Sequence, residues 1–230
     1  MPLGRLSALQ ERILEVLADM EPSWTLTGGG ALVGFHTRHR TTRDLDLLWH
    51  GRSRLEELVP AVEERLREAG LRVSTQQRAI SFHRFEVRSE EELCLVDLVA
   101  EPMARLADPE GFEVAGHRVR VDGRHEILVN KLCAMLGRSE LRDLIDVREL
   151  LRTGGDLERT SKDAPRKDGG YSPIMLSWIL NGLRIRAMAQ AEGLDERATH
   201  ELEAFRDELV ERLTRDSRPD TRGDRANELR

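Results

Sequence analysis

Two aspartates, Asp44 and Asp46, lie two positions apart in the alternating segment DLDLL at residues 44–48. Such alternation predicts a β-strand, on which residues two apart point to the same face. Two neighbouring carboxylates repel each other unless a cation lies between them, and a hard cation that prefers oxygen ligands, such as Mg²⁺, suits them best. The spacing therefore predicts a magnesium site on one face of a strand.

Three consecutive glycines, Gly28, Gly29 and Gly30, follow a short strand predicted at residues 24–27. Without a Cβ, their backbone N–H groups can approach an anion such as a triphosphate. Phosphates, Mg²⁺ and carboxylates together indicate phosphoryl or nucleotidyl transfer. Each motif alone also fits a structural alternative, a plain loop or an amphipathic strand with one solvated face, but their order along the chain favours function.

The glycines and the residues RTTRDLD at positions 40–46 resemble the signature of the DNA-polymerase-β-like nucleotidyltransferase superfamily. They are more closely similar to the AbiEii-type nucleotidyltransferase toxins of abortive-infection and toxin–antitoxin systems. The resemblance implies an enzyme that uses Mg²⁺ and an NTP and releases pyrophosphate. The serine usual after the glycine is missing, and Gly30 stands in or near its place. The implied nucleotide-binding residues are Gly28, Gly29, Gly30, Thr42, Arg43 and Lys131.

Asp97 is the acid of a nearly all-apolar segment at residues 93–99, which predicts a buried central strand. A buried charge needs a partner. One interpretation makes Asp97 a third carboxylate that completes the metal site or acts as base for the attacking hydroxyl, and the sequence VDL resembles the superfamily's third acid. The alternative is an acid paired with an arginine.

A second motif lies downstream, where Lys131, Arg138, Arg142, Asp143 and Asp146 have the spacing of the fourth motif of the AbiEii-type family. The resemblance implies that Lys131 binds phosphates and that Asp146 orients a ligand or the lysine. The structural alternatives are a lysine that extends from an apolar helix face to water and a surface ion pair between Arg142 and Asp146, four residues apart.

Three arginines, Arg38, Arg40 and Arg43, crowd the loop before the aspartates in a chain of net charge −6. This cluster favours RNA as the acceptor, with the 3′ end of tRNA as the expected site. A small-molecule nucleotidyltransferase of the aminoglycoside-modifying kind would use the same acids with an acidic acceptor pocket. A third hypothesis is a non-catalytic nucleotide-binding module. Arg43 is either tied to a carboxylate or bound to the nucleotide.

Hydrophobic patterning predicts an α/β (α+β) protein, with a mixed-sheet nucleotidyltransferase domain at 1–123 and a helical domain at 124–215. A tail at 216–230 is predicted to be disordered. The predicted helices cover 6–20, 52–69, 125–137, 140–152, 173–191 and 195–214. The predicted strands cover 71–74, 80–88 and 93–100, with a hairpin at 112–121 that turns at Ala115-Gly116. A polar linker is predicted at 153–172.

The remaining features bear on location and partners. The sequence contains no run of about 18 apolar residues, so no membrane span is predicted. The N-terminus lacks the apolar core of a signal peptide. Cys94 and Cys133 each lie in an apolar run and are expected to be buried free thiols in a reducing cytoplasm. The family resemblance adds a cognate antitoxin as an expected partner.

Overall fold

The computed structural model describes residues 6–138 and 140–216 of the 230. The predicted disordered tail lies outside these residues except for Asp216. The fold is mixed α/β, as the sequence predicts. The helices are α1 (Ala8–Leu17), α2 (Gly28–Ala31), α3 (Leu58–Glu68), α4 (Arg124–Gly137), α5 (Leu141–Arg152), α6 (Leu157–Asp163), α7 (Pro173–Asn181), α8 (Ile185–Ala191) and α9 (Glu196–Asp216).

The described residues contain a mixed sheet of seven strands, in the order β3-β4-β5-β2-β1-β7-β6. Its central strands β2 and β5 are parallel, and β1 and β4 flank them antiparallel to β2 and β5 respectively. The strands are β1 (Thr25–Thr27), β2 (Asp44–His50), β3 (Arg72–Arg78), β4 (Phe82–Arg88), β5 (Leu93–Glu101), β6 (Glu110–Val114) and β7 (His117–Val121). The turn at Ala115-Gly116 joins β6 to β7 with positive φ at both residues, as predicted.

One face of the sheet carries the core. Apolar residues of β2 and β4 alternate with polar ones, while β5 is almost entirely apolar. Leu45, Leu47, Phe85, Val87 and Leu98 are fully buried on the same side. Helix α1 contacts β5, while α3 contacts α1 and β3. The opposite face of the same strands carries the polar residues, including both aspartates of β2.

The indole side chains differ in environment. Trp24 and Trp49 are buried, and their ring N–H groups donate to the carbonyl oxygens of Leu17 and Pro22, each at 2.7 Å. Trp178, on α7, is 73% exposed.

The helical part differs from the prediction in two places. The predicted linker at 153–172 contains α6 and a 3₁₀ turn at Ala164–Arg166, because Asp156 caps the helix through the N–H of Arg159 and Leu157 is buried. The predicted helix at 173–191 is two helices, since α7 ends with Gly182 as its C-cap and Arg184 leaves the helical conformation.

Smaller corrections concern boundaries near the sheet. The helix predicted at 52–69 begins only at Leu58, so Pro60 lies in its first turn, where a missing N–H is tolerated and no kink results. The strand predicted at 80–88 is β4, and its partner β3 is irregular, with a register shift between Thr75 and Gln77. That partner strand also extends beyond the predicted 71–74.

By the density of its contacts the chain separates into two units. The first unit contains the described residues up to Lys131 together with Glu149–Gly155, and thus the whole sheet. The second unit contains Leu132–Arg148 and the described residues from Asp156 onward, and α7 and α8 pack on α9 within it. The predicted domains at 1–123 and 124–215 stay a prediction. No helix in the described part of the chain is long and apolar enough to cross a membrane.

Candidate active site

Four polar residues form a row across four neighbouring strands. Thr27 of β1 pairs with Asp46 of β2, Asp46 pairs with Asp97 of β5, and Asp97 pairs with Arg84 of β4. Residues paired across adjacent strands point to the same face, with strands about 4.8 Å apart. The fold therefore places Asp46 and Asp97 side by side on the neighbouring parallel strands β2 and β5.

Asp44 lies two residues before Asp46 on the same face, and both side chains are half-buried. The hydroxyl of Thr42 donates a short hydrogen bond to Oδ1 of Asp44. Two hydrogen bonds hold the backbone before Asp44 in place. The N–H of Leu95 donates to the carbonyl oxygen of Arg43 at 2.9 Å, and the side-chain amide of Gln10 donates to the carbonyl oxygen of Thr42 at 3.2 Å. Thr42 thus orients the first aspartate from a fixed loop.

Asp97 is buried, and Arg84 binds both of its oxygens. The guanidinium Nε donates to Oδ1 at 2.6 Å and Nη2 donates to Oδ2 at 2.5 Å. The hydrogen bond to Asp97 raises the pKa of Arg84, and the charges of Asp97, Asp44 and Asp46 raise it further, against the effect of burial. The arginine pairing considered for Asp97 is therefore present, and the same carboxylate also lies beside Asp46.

The glycine turn packs directly onto these side chains. Gly28 has φ +63°, and a Cβ there would overlap the carboxylate of Asp46. A Cβ on Gly29 would lie 2.9 Å from Nη2 of Arg40 and 3.2 Å from the hydroxyl of Thr42. At Gly30 it would instead meet buried parts of β2. A side chain at position 29 would thus face the basic loop, whereas one at position 30 would face the core.

The three loop arginines have different surroundings. Arg40 is half-buried, with its guanidinium against Gly29 and Nη1 donating to the carbonyl oxygen of Thr41 at 3.0 Å. Arg38 and Arg43 are exposed. Arg40 is therefore the arginine that contacts the glycine turn, a distinction that the sequence does not reveal.

The residues of the downstream motif lie in different units. Lys131 is buried on α4 in the first unit, and Asp146 is fully buried on α5 in the second. A surface ion pair between Arg142 and Asp146 is wrong, because Asp146 has no exposed surface. Asp143 is also fully buried, and Arg138 binds both its oxygens at 2.9 and 3.2 Å. The active-site roles of Lys131 and Asp146 stay predictions from the resemblance.

The donor set on the sheet face fits Mg²⁺. Within residues 6–138 and 140–216, no three or more His, Cys, Asp or Glu side chains are arranged as a metal site. Mg²⁺ does not need such a cage, since it keeps several waters and is held by one or two carboxylates together with substrate phosphates. Asp44 and Asp46, partly exposed on one face, supply two carboxylates, while both oxygens of Asp97 are bound to Arg84.

Sequence reasoning missed Arg84 and Gln10. Arg84 is in phase with Glu86 and Arg88 on the polar face of β4, so alternation could have placed it on the face of the aspartates but not against one of them. Gln10 is 1% exposed in an otherwise ordinary amphipathic helix. A polar glutamine next to the apolar stripe of this helix is the only feature of the sequence that could have indicated a buried role for Gln10.

Comparison with known structures shows the same fold in proteins of low sequence identity. JHP933 from Helicobacter pylori matches with a TM-score of 0.54 at 18% identity, over 91% of this chain and 92% of that one. The MenT4 nucleotidyltransferase toxin from Mycobacterium tuberculosis matches with a TM-score of 0.51 at 18% identity, over 68% of this chain and 60% of that one. An antigenic nucleotidyltransferase-like protein from Paracoccidioides brasiliensis matches with a TM-score of 0.50 at 14% identity, over 90% of this chain and 95% of that one.

No curated protein matches the chain closely. The family model of the nucleotidyl transferase AbiEii toxin, type IV toxin–antitoxin system, matches residues 12–217, which span the glycine turn, the aspartates and the downstream motif. The match covers nearly the whole chain, and the site geometry agrees with the reaction that the family name states. The chain therefore belongs to the AbiEii nucleotidyltransferase toxin family and is a nucleotidyl transfer enzyme.

Proposed function

We propose that the protein transfers a nucleoside monophosphate from an NTP to RNA, at the 3′ end of tRNA, in a reaction that depends on Mg²⁺. The observation that supports the proposal is the packing of Gly28 on Asp46, since the glycine turn, which is proposed to bind phosphates, lies next to the aspartates of β2. Carboxylates that hold a metal beside a turn that receives phosphates are the parts that nucleotidyl transfer needs.

In the proposed reaction the RNA 3′-hydroxyl oxygen forms a bond to the α-phosphorus of the NTP. The bond from the α-phosphorus to the bridging oxygen breaks, pyrophosphate leaves, and the hydroxyl proton ends in solvent. Asp44 and Asp46 would hold Mg²⁺, whose contribution when bound is to neutralise charge on the α-phosphate and the leaving group. Thr42 fixes the orientation of Asp44, as its hydrogen bond to that carboxylate indicates.

Other residues would hold the triphosphate. The backbone N–H groups of Gly28, Gly29 and Gly30 would donate hydrogen bonds to phosphate oxygens. Arg40 lies against that turn with a guanidinium suited to phosphate. Lys131 would bind phosphates as a point charge, and Asp146 would orient a ligand or the lysine. These last two assignments rest on the family motif.

The acceptor would be bound by the exposed arginines of the loop. Arg38 and Arg43 lie in the segment that leads directly into Asp44, and both are exposed. The resemblance assigns Arg43 to the nucleotide, and the proposal moves it to the acceptor because Arg40 is the arginine beside the glycine turn. An acidic protein that binds RNA must concentrate positive charge locally, because phosphate contacts supply much of the affinity. Arg40, packed on the glycine turn, is assigned to the nucleotide instead. A cognate antitoxin and a cytoplasmic location follow from the family and belong to the same proposal.

The reaction is tested by incubating the protein with each labelled NTP, Mg²⁺ and total RNA. Transfer to tRNA is expected with wild type and is expected to fall by at least about 10²-fold in Asp44→Asn and Asp46→Asn, the order of losing one charge-stabilising group. Circular dichroism provides the folding control. Full transfer in both variants, or in excess chelator, would contradict the assignment of these aspartates.

The acceptor is tested with the double variant Arg38→Glu/Arg43→Glu. Transfer to RNA is expected to fall strongly at low salt, while NTP binding changes little. The deficit relative to wild type is expected to shrink at higher salt, because the variant has fewer phosphate contacts for salt to screen. The matched control is Arg52→Glu/Arg65→Glu, which changes the net charge equally at exposed positions outside the loop. Equal transfer by both variants would remove the support for RNA and favour a small-molecule acceptor.

A further inference from the structure

Three carboxylates and one guanidinium share the polar face of β2, β5 and β4. Asp44, Asp46 and Asp97 share the face of two adjacent parallel strands, and Arg84 closes the row from β4. The side chain of Asp97 is 6% exposed, whereas that of Arg84 is 35% exposed. The arginine therefore covers the innermost carboxylate from the solvent side.

The fork of Arg84 takes up the ligand capacity of Asp97. Both carboxylate oxygens accept a hydrogen bond from it, at 2.6 and 2.5 Å, which is the two-point geometry that fixes a carboxylate most firmly. The guanidinium also lies 5.6 Å from the centre of the Phe82 ring, which borders it on the same strand. Arg84 is thus held from two sides.

The charge of this arginine reduces repulsion among the aspartates. Three carboxylates without a cation would repel one another, and a buried carboxylate without a partner is costly. A divalent cation at Asp44 and Asp46 would meet the same guanidinium as a neighbouring positive charge. Arg84 and a bound metal would therefore be attracted by the same carboxylates and would repel each other.

We propose that Arg84 is a positioning residue that acts as an internal counter-cation: it holds Asp97 away from the metal, so that Mg²⁺ binds through Asp44 and Asp46. This proposal rests on the proposed function, since it assumes that these two aspartates take the metal. It assigns Asp97 to the structure and charge balance of the site.

The test is calorimetric titration of the protein with Mg²⁺ alone. Removing the charge in Arg84→Gln frees Asp97, and Mg²⁺ is expected to bind about tenfold more tightly, the order for one unit charge near a divalent ion in a partly solvated site. Arg84→Lys keeps the charge and is expected to stay close to wild type. A merely structural arginine would weaken Mg²⁺ binding when it is removed.

Two further variants sharpen the result. The double variant Arg84→Gln/Asp97→Asn removes both members of the pair, so its Mg²⁺ affinity is expected to return close to that of wild type. The matched control is Arg88→Gln, which breaks an arginine–carboxylate contact of 2.6 Å to Glu86 on the same strand face and is expected to leave Mg²⁺ binding unchanged. Melting temperature measured alongside confirms that each variant is folded.

The outcomes separate the two proposals. Tighter Mg²⁺ binding by Arg84→Gln, reversed in the double variant, supports the counter-cation. Equal or weaker binding by a folded Arg84→Gln overturns it while leaving Asp44 and Asp46 as metal ligands. No Mg²⁺ binding to wild type, either alone or with a non-hydrolysable NTP analogue present, overturns the metal assignment itself and this proposal with it.

Discussion

At the scale of single residues, Gly28 and Asp46 depend on each other. Gly28 has φ +63°, and its missing Cβ leaves the space that the carboxylate of Asp46 occupies. A residue with a side chain would be strained in this conformation and would also displace the carboxylate. Gly28 therefore leaves room for the carboxylate of Asp46, in addition to the phosphate contact that the sequence predicts for it.

Gly28→Ala is expected to abolish transfer and to lower the free energy of unfolding by about 1–2 kcal/mol for the left-handed conformation alone. The matched control is Gly70→Ala, whose φ of +81° carries a similar backbone cost but whose Cβ would meet no atom within 4 Å. Urea unfolding and transfer assays of both variants separate strain from function. Comparable activity in the two would contradict the role of Gly28 at the site.

The two thiols give a residue-scale prediction about pH. Burial raises the pKa of Cys94 to about 12 and that of Cys133 to about 11, above the value of about 8.5 of an unfolded chain. Their contribution to stability is therefore full below about pH 8.5 and is lost as the pH rises through the folded values. At pH 8 a disulfide reagent is expected to react slowly with the native protein, at Cys133 before Cys94, and rapidly in urea.

Rapid modification of Cys94 in the native state would show that the strand opens. The expectation of buried free thiols holds for Cys94, while Cys133 is only half-buried.

The residues that sequence could identify are those with a spacing that chemistry demands, such as Asp44 and Asp46. Arg84 escaped because its partner lies 13 positions away on another strand, and only the register of β4 on β5 brings the two together.

At the scale of elements, the first turn of α1 supports the loop of the active site. Gln10 completes a capping box with Ser7, accepting from its N–H at 2.9 Å, and donates to the carbonyl oxygen of Thr42 at 3.2 Å. Glu92 anchors the same turn by accepting from the N–H of Leu9 at 2.7 Å. One helix end thus fixes the segment that carries Thr42.

Gln10→Leu is expected to lower the free energy of unfolding by about 1–3 kcal/mol, because it leaves buried polar partners without hydrogen bonds. Transfer is expected to fall as well, since Thr42 would hold Asp44 less firmly. Arg12→Ala, which removes an exposed pair with Glu15, serves as the control and is expected to cost less than about 1 kcal/mol. Unchanged transfer in Gln10→Leu would contradict the support of the loop by α1.

Elements with a regular apolar pattern were predictable, whereas short capped helices were not. Strand β2 and the helices α4 and α5 follow clear periodicity, and the long apolar run of β5 is typical of a buried central strand. Helix α6 has the polar sequence LERTSKD, so its apolar stripe is too short to read, and its stability comes from the Asp156 cap and the burial of Leu157 and Thr160. Tertiary packing of this kind overrides a composition that resembles a linker.

At the scale of the whole molecule, the sequence predicts an α/β part followed by a helical part. The division found from contacts falls inside α4 and α5 instead of before them, and Lys131 and Asp146 belong to different units. Both helices are continuous in their apolar pattern, so nothing in the sequence marks a boundary within them. The contacts between elements define a unit, and the apolar periodicity of a single helix does not show which other elements it will contact.

The three tryptophans give the molecule two distinct optical signals. Trp24 and Trp49 are buried in the first unit, whereas Trp178 is 73% exposed in the second. Native fluorescence is expected to contain a short-wavelength component that acrylamide barely quenches and a long-wavelength component that it quenches readily. Trp178→Phe, a surface change worth within about 0.5 kcal/mol, is expected to remove only the latter. Urea titrations of both proteins would then show whether the catalytic sheet and the helical unit melt together, without any added dye.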